Sequence, residues 1–64
     1  MKQLIYPVVV RPGWVDAGRR GRSLGEHITV NGMQWTPVLW DDADEPAFAK
    51  SITLEHLDCQ EVDI

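Results

Sequence analysis

The sequence has a single cysteine, Cys59, and no apolar run close to the length of a membrane helix. One cysteine excludes an internal disulfide framework and a cysteine-rich zinc ribbon, and a membrane helix needs about 18 consecutive apolar residues. Residues 1–7 contain a short apolar stretch without a small-residue cleavage site, so a signal peptide is not expected. We therefore expect a soluble protein in a reducing, cytoplasmic setting.

The chain is also short. Its 64 residues allow one domain over residues 1–64, and 44% hydrophobic residues are too many for a disordered chain. A domain of this size buries only about 60% of its unfolded surface, and its core supplies about 3–5 kcal/mol of net stability. This margin leaves little room for a strained catalytic cavity, and a partner that adds burial would stabilise the fold.

Charge is divided unevenly along the sequence. Residues 1–40 hold five Lys and Arg against two Asp and Glu, whereas residues 41–64 hold one against eight. The two parts therefore carry net charges of +3 and −7, and the whole chain carries −4. A basic first part and an acidic second part predict either two charged faces or an internal contact between them.

Alternating apolar and polar residues predict a mainly β chain. Residues 3–11 read as a strand that places Leu4, Tyr6, Val8 and Val10 on one face, with Pro7 at an edge or a bulge. Four glycines in residues 13–25 predict a long loop, with a short extended piece around residues 20–24.

Asn31-Gly32, between two alternating runs, is the strongest short-range signal for a hairpin, because a type I′ turn needs positive φ at both central residues. The alternation predicts the inward face as Ile28, Val30, Met33 and Trp35. Thr29 and Gln34 are then expected to face water.

After the hairpin, the second arm continues over residues 37–40, and residues 41–46 form an acidic turn. Short strands are expected at residues 47–50 and 54–57, separated by a tight turn at 51–53. The alternative is a helix over residues 51–60. The acidic tail, residues 58–64, is expected to fray.

Short strands, glycine-rich loops and one hairpin favour a small barrel of about five strands. The chain resembles SH3-like β-barrel modules of the KOW and Tudor kind over residues 4–57. The resembling features are Val8-Val9-Val10-Arg11-Pro12-Gly13, Gly18-Arg19-Arg20-Gly21-Arg22, the hairpin, and Pro37-Val38-Leu39-Trp40-Asp41-Asp42. The resemblance implies a small SH3-like barrel and, because such barrels share no single function, only a binding role.

Chemistry-bearing side chains are sparse. His27, His56 and Cys59 are the only soft metal ligands, one fewer than a structural zinc site needs. Cys59 lies among acidic residues, an unfavourable setting for a reactive thiolate. We therefore expect no catalytic residues, no metal site and no cofactor, and predict a protein that is not an enzyme.

The predicted function is a non-enzymatic intracellular binding module that docks onto a protein partner. The candidate partner-binding residues combine aromatic, acidic and basic side chains: Trp14, Trp40, Asp41, Asp42, Arg19, Arg20 and Arg22. Two other interpretations of the aromatics stay open. Trp14 and Trp40 could form, with Tyr6, a cage for a cation such as methylated lysine, or they could pack in the core.

The alternative function is nucleic-acid binding by a KOW-like module through the arginine-rich loop, joined by Arg11. The acidic total charge opposes this interpretation. The loop arginines could instead pair with Asp41, Asp42 or Asp44. A homodimer that completes its core with a partner strand is a third possibility.

Overall fold

β-Branched residues form the strand that organises the fold. In the computed structural model, which describes residues 1–63, strand β1 spans Lys2–Val10 and contains Val8-Val9-Val10, whose stiff side chains suit a pleated surface. The other elements follow in chain order: β2 (Arg20–Ser23), β3 (Ile28–Val30), β4 (Met33–Trp40), β5 (Ala47–Lys50), a 3₁₀ helix (Ser51–Thr53), β6 (Leu54–His56) and β7 (Gln60–Asp63). The mainly β fold predicted from the sequence is confirmed.

Two long strands, β1 and β4, carry all the pairing, which is antiparallel throughout. The central order is β3-β4-β2-β1-β6, with β5 on β4 and β7 on β1. β2 and β3 lie one after the other along one edge of β4, and β6 and β7 do the same along one edge of β1. The seven strands therefore fill about five strand positions across the sheet. The predicted barrel is not closed: the 3₁₀ helix carries the chain from β5 to β6, and among residues 1–63 these two strands do not pair.

The core is small and apolar. It consists of Val8, Val10, Val38, Trp40 and Leu54, each at most 7% exposed. The predicted face of β1 is confirmed at Val8 and Val10 only. Leu4 and Tyr6 are about half exposed, at the end of β1 where the pairing with β2 stops.

The Asn31-Gly32 hairpin is present, with φ of 52° at Asn31 and 80° at Gly32. Both values are positive, as a type I′ turn requires, and β3 pairs with β4 as expected.

The predicted facing of this hairpin is wrong. Alternate residues of β4, beginning at Thr36, are buried, so Trp35 and its neighbours across the hairpin lie on the outer face. The other three residues that were predicted to face inward are 41–48% exposed: Ile28, Val30 and Met33. The cause is that β4 has apolar residues on both of its faces. The face that ends in Trp40 is packed in the core, and the face that carries Trp35 is left outside.

The acidic tail does not fray over its described part. Residues 60–63 form β7, which pairs with residues 2–5 of β1, and Lys2 Nζ lies 3.1 Å from Glu61 Oε1. Ile64 lies outside the described residues. The helix alternative for residues 51–60 is wrong except for its three-residue 3₁₀ turn.

A bulge separates β6 from β7. Residues 57–59 lie opposite only Tyr6 and Pro7, since Val8 pairs with His56 and Ile5 pairs with Gln60. Pro7 has no N–H to donate, and it accepts a hydrogen bond from the N–H of Leu57 at 3.0 Å. The expectation that Pro7 marks a bulge is therefore confirmed.

We predict that Gly21→Ala destabilises the fold. Gly21 is buried in β2, where a Cβ would lie 2.7 Å from the Leu39 carbonyl oxygen and 2.9 Å from Val38 Cγ1. Overpacking of this kind costs about 1–3 kcal/mol, measurable as a lower urea midpoint followed by tryptophan fluorescence. Gly25→Ala is the matched control, because its Cβ would meet no atom within 4 Å. Equal midpoints for the two variants would contradict the prediction.

Candidate functional site

Large apolar side chains are more often exposed than buried. Eleven of them among residues 1–63 are at least 41% exposed: Met1, Leu4, Tyr6, Trp14, Val15, Leu24, Ile28, Val30, Met33, Phe48 and Ile52. The accessible surface is 4873 Å², whereas a compact monomer of 7.3 kDa exposes about 4,200 Å². The excess of about 700 Å² is close to the roughly 800 Å² that one partner contributes to a standard protein interface.

An open groove of about 360 Å³ lies between the loop of residues 11–19 and β5. Trp14 and Val15 line it from the loop, and Phe48 lines it from β5. The buried side chains of Val10 and Trp40 form its base. Trp14 is 44% exposed beside this apolar floor. Phe48 is 57% exposed at the rim, where its ring lies on the outer face of β5, because its alanine neighbours take the inward positions.

Backbone hydrogen bonds fix the loop that carries Trp14. The N–H of Ala17 donates to the Trp14 carbonyl at 3.1 Å, and the N–H of Arg19 donates to the Asp16 carbonyl at 2.9 Å. Gly18, at φ 89°, lies in the left-handed region that glycine tolerates, and its N–H donates to the Val10 carbonyl at 2.9 Å. Trp14 is therefore presented by a structured turn rather than by a free loop.

Arg19 closes one side of the groove. Its guanidinium lies 4.6 Å from the ring centroid of Trp40, and its Nη2 donates to Asp42 Oδ1 at 2.9 Å. The hydrogen bond from Arg19, assisted by its charge, lowers the pKa of the Asp42 carboxyl. This cluster ties the loop to the acidic turn and covers the Trp40 ring.

The structure separates the predicted site residues into two groups. Trp14, Trp40, Arg19 and Asp42 come together, but Trp40 is only 7% exposed and belongs to the core. Trp40 therefore supports the groove from beneath instead of offering its ring to a partner.

Arg20 and Arg22 lie on the outer face of β2, because Gly21 between them points inward. The N–H of Asp41 donates to the carbonyl of Arg20 at 2.9 Å, which sets the acidic turn beside this strand. Asp41, Arg20 and Arg22 are exposed. None of the three lines the groove.

Two residues of the groove, Val15 and Phe48, were missed from the sequence. The signal for Phe48 was present, since small alanines on both sides of it fit the inward face of a short strand and leave the large ring outside. The aromatic cage is not formed: Tyr6 lines a different cavity from Trp14 and Trp40.

The candidate metal ligands are dispersed. His27 and His56 line one open cavity, and Cys59 is exposed in the bulge before β7. Within the part of the chain that the structure describes, no group of three or more His, Cys, Asp or Glu side chains is arranged to hold a metal ion. Over the same residues, no helix has the length and apolar character required to cross a membrane.

We predict that the carboxyl of Asp42 titrates below its ordinary pKa of 3.8. Because the folded pKa is lowered, the ion pair contributes to stability above the ordinary pKa, and that contribution is lost as pH falls through the lower value. A ¹³C NMR titration of Asp42 measures this directly. Arg19→Gln should return the pKa of Asp42 towards 3.8, whereas Lys2→Gln, which removes a cation paired with Glu61, should leave it unchanged. An unchanged Asp42 midpoint in Arg19→Gln would refute the assignment.

Comparison of the chain with protein-family models, curated proteins and solved structures gives no match. The resemblance to SH3-like modules therefore stays a prediction from the sequence.

Proposed function

We propose that this chain is a non-enzymatic binding module that docks a segment of a protein partner in the groove beside Trp14. The observation that carries the proposal is the exposed Trp14 beside the buried Trp40, with the exposed Phe48 at the rim of the same groove. Aromatic side chains in well-packed pockets supply most of the binding energy at protein interfaces. The excess surface of about 700 Å² over a compact monomer supports the same conclusion.

The acidic turn gives the partner a preferred charge. Residues 41–46 carry four carboxylates, and within residues 1–63 only that of Asp42 is ion-paired, with Arg19. A partner segment with apolar residues for the groove and a Lys or Arg beside them would gain electrostatic attraction at this rim. We expect this attraction to contribute more to association rate and specificity than to affinity.

The module is proposed to be SH3-like and cytoplasmic. The five strand positions and the tight hairpin support an SH3-like fold. The fold differs from a closed barrel because β5 and β6 do not pair among the described residues. An exposed free cysteine, Cys59, is compatible with a reducing compartment.

Nucleic-acid binding is the second candidate, and one observation favours it. Arg20 and Arg22 are exposed two residues apart on one face of β2, without an ion pair among the described residues. Arg19 and Arg11 are already engaged, since Arg19 binds Asp42 and Arg11 Nε donates to the Leu54 carbonyl at 3.0 Å. Two unpaired arginines in a chain of net charge −4 attract phosphate only weakly. We therefore favour the groove, with its apolar contacts, as the binding site.

A display library of random 12-residue peptides, selected on the immobilised chain, tests the groove. We expect peptides rich in aromatic and basic residues, and we expect Trp14→Ala or Phe48→Ala to weaken their binding by about 10- to 30-fold, the range of an interface hot spot. Titration calorimetry measures the affinities. Ile52→Ala is the matched control, because Ile52 is 64% exposed but lies outside the groove.

The same titrations at low and moderate salt separate the two candidates. Peptide binding in the groove should change little with salt, whereas binding to single- or double-stranded nucleic acid through phosphate contacts should fall steeply. The groove proposal fails when the two alanine variants bind the selected peptides as tightly as the wild type. It also fails when nucleic acid binds with a steep salt dependence and no peptide is recovered.

A further inference from the structure

Strand β1 extends past β2 and leaves one edge open. β2 pairs with residues 6–9 of β1 only. Residues 2–5 pair with β7, which lies along the opposite edge. Among residues 1–63, no strand pairs with the other edge of residues 2–5. Such an edge is a template for a further strand.

The backbone groups on the open edge can be identified from their neighbours. The N–H of Val10 donates to the Arg19 carbonyl on the side of β2. On the opposite side, the N–H of Arg11 donates to Thr53 and the carbonyl of Pro7 accepts from Leu57. Because these directions alternate along a strand, the N–H and C=O of Leu4 point to the side of β2.

β2 does not reach these groups. It ends at Ser23, which pairs with Tyr6, and among residues 1–63 no residue after Ser23 extends this pairing along β1. The N–H and C=O of Leu4 therefore face an open cavity rather than a neighbouring strand. Backbone groups of this kind need a hydrogen-bonding partner, which is water in the free protein.

Apolar side chains surround the same opening. Leu4, Tyr6 and Leu24 are 53%, 51% and 47% exposed, and all three line a cavity of about 520 Å³ that runs beside β1. Leu4 and Tyr6 lie two residues apart on one face of the strand, the spacing at which an added strand presents its own alternate side chains. The cavity thus combines free main-chain groups with apolar contacts at strand spacing.

We propose that this edge binds one extended segment of a partner protein as an additional β-strand that continues the line of β2. Main-chain hydrogen bonds to Leu4 would hold the segment, and alternate apolar side chains would contact Leu4, Tyr6 and Leu24, as in strand addition to other sheets. The site is distinct from the groove beside Trp14, and the two share no lining residue.

The shape of the cavity favours a partner segment over a second copy of the chain. Residues 23–26 form the far wall of the cavity, opposite β1. A single extended segment needs one strand spacing of about 4.8 Å beside β1. A second copy paired through the same edge would bring its own residues 23–26 to the far edge of this β1, which β7 already occupies. The edge is therefore suited to a single chain without flanking structure.

Selection on a chain without the groove tests this inference independently of the proposed function. The display library of 12-residue peptides is selected on the Trp14→Ala, Phe48→Ala double variant, after circular dichroism has shown that it is folded. The recovered peptides are then titrated against a synthetic chain in which the amide nitrogen of Leu4 is methylated. We expect about a tenfold or greater loss of affinity, because the methyl group removes the donor and blocks the edge.

A side-chain pair provides a second measurement that does not depend on the synthetic chain. Leu4→Lys places a charge in the cavity and should also weaken binding about tenfold or more, whereas Gln60→Lys, at an exposed position of β7 outside the cavity, should leave it unchanged. In ¹⁵N NMR spectra, the peptides should shift the amide signals of Leu4 and Tyr6 before those of Trp14 and Phe48.

Three results would overturn the inference. The first is that no peptide is recovered on the double variant. The second is that the recovered peptides bind the methylated and Leu4→Lys chains as tightly as the unmodified one. The third is a wild-type dimer in sedimentation experiments that becomes monomeric when the Leu4 nitrogen is methylated, because the edge would then be occupied by a second copy. None of these results bears on the groove, whose own test is the effect of Trp14→Ala on its selected peptides.

Discussion

The whole sheet depends on a close contact at Gly21. β2 has four residues, yet in the described chain it is the strand that hydrogen-bonds to both long strands, β1 on one edge and β4 on the other. Gly21 is buried at its centre, against the Leu39 carbonyl and the Val38 side chain, with no space for a Cβ. The absence of a side chain lets Val8 and Val38, both fully buried, complete the core at this point. Close packing at the centre of the sheet therefore stabilises a chain whose 64 residues are too few for a large core.

The shortness of β2 also determines what is left exposed. Because β2 ends at Ser23, both long strands extend beyond it, and the molecule is elongated, with extents of 38 × 23 × 23 Å. Its radius of gyration is 12.0 Å, compared with about 11 Å for a compact chain of this length. The overhanging part of β1 is paired along one edge only, by β7, and that of β4 is paired by β3 and β5. Their faces are only partly covered, so Leu4 on β1 and Ile28 on β3 remain accessible. The large apolar surface is therefore a consequence of the topology, and it supports a role in binding.

Local sequence signals predicted the strands and turns but not the long-range contacts. The Asn31-Gly32 turn and the bulge at Pro7 follow from backbone preferences of individual residues, and both are present. The facing of β4 could not be predicted, because apolar residues occupy both parities of that strand and only the packing of Trp40 decides between them. β7 was missed for a related reason. It has one apolar residue, Val62, and depends on pairing with a strand some 60 positions earlier.

The candidate site was predictable to the same degree. Its charged contact, Arg19 with Asp42, was one of the pairings that the basic and acidic halves allowed. Phe48 was not identified, although the alanines on both sides of it are a short alternating pattern that places its ring on the outer face. The two proposed docking sites lie on the same strand. Leu4 at the open edge and Val10 in the groove are six residues apart on β1, a distance of about 20 Å. A partner with two extended segments joined by a linker of that span would bind the second segment as an intramolecular step, at an effective concentration set by the linker. Occupation of both sites by one partner would in this way stabilise the complex of a domain that has a five-residue core.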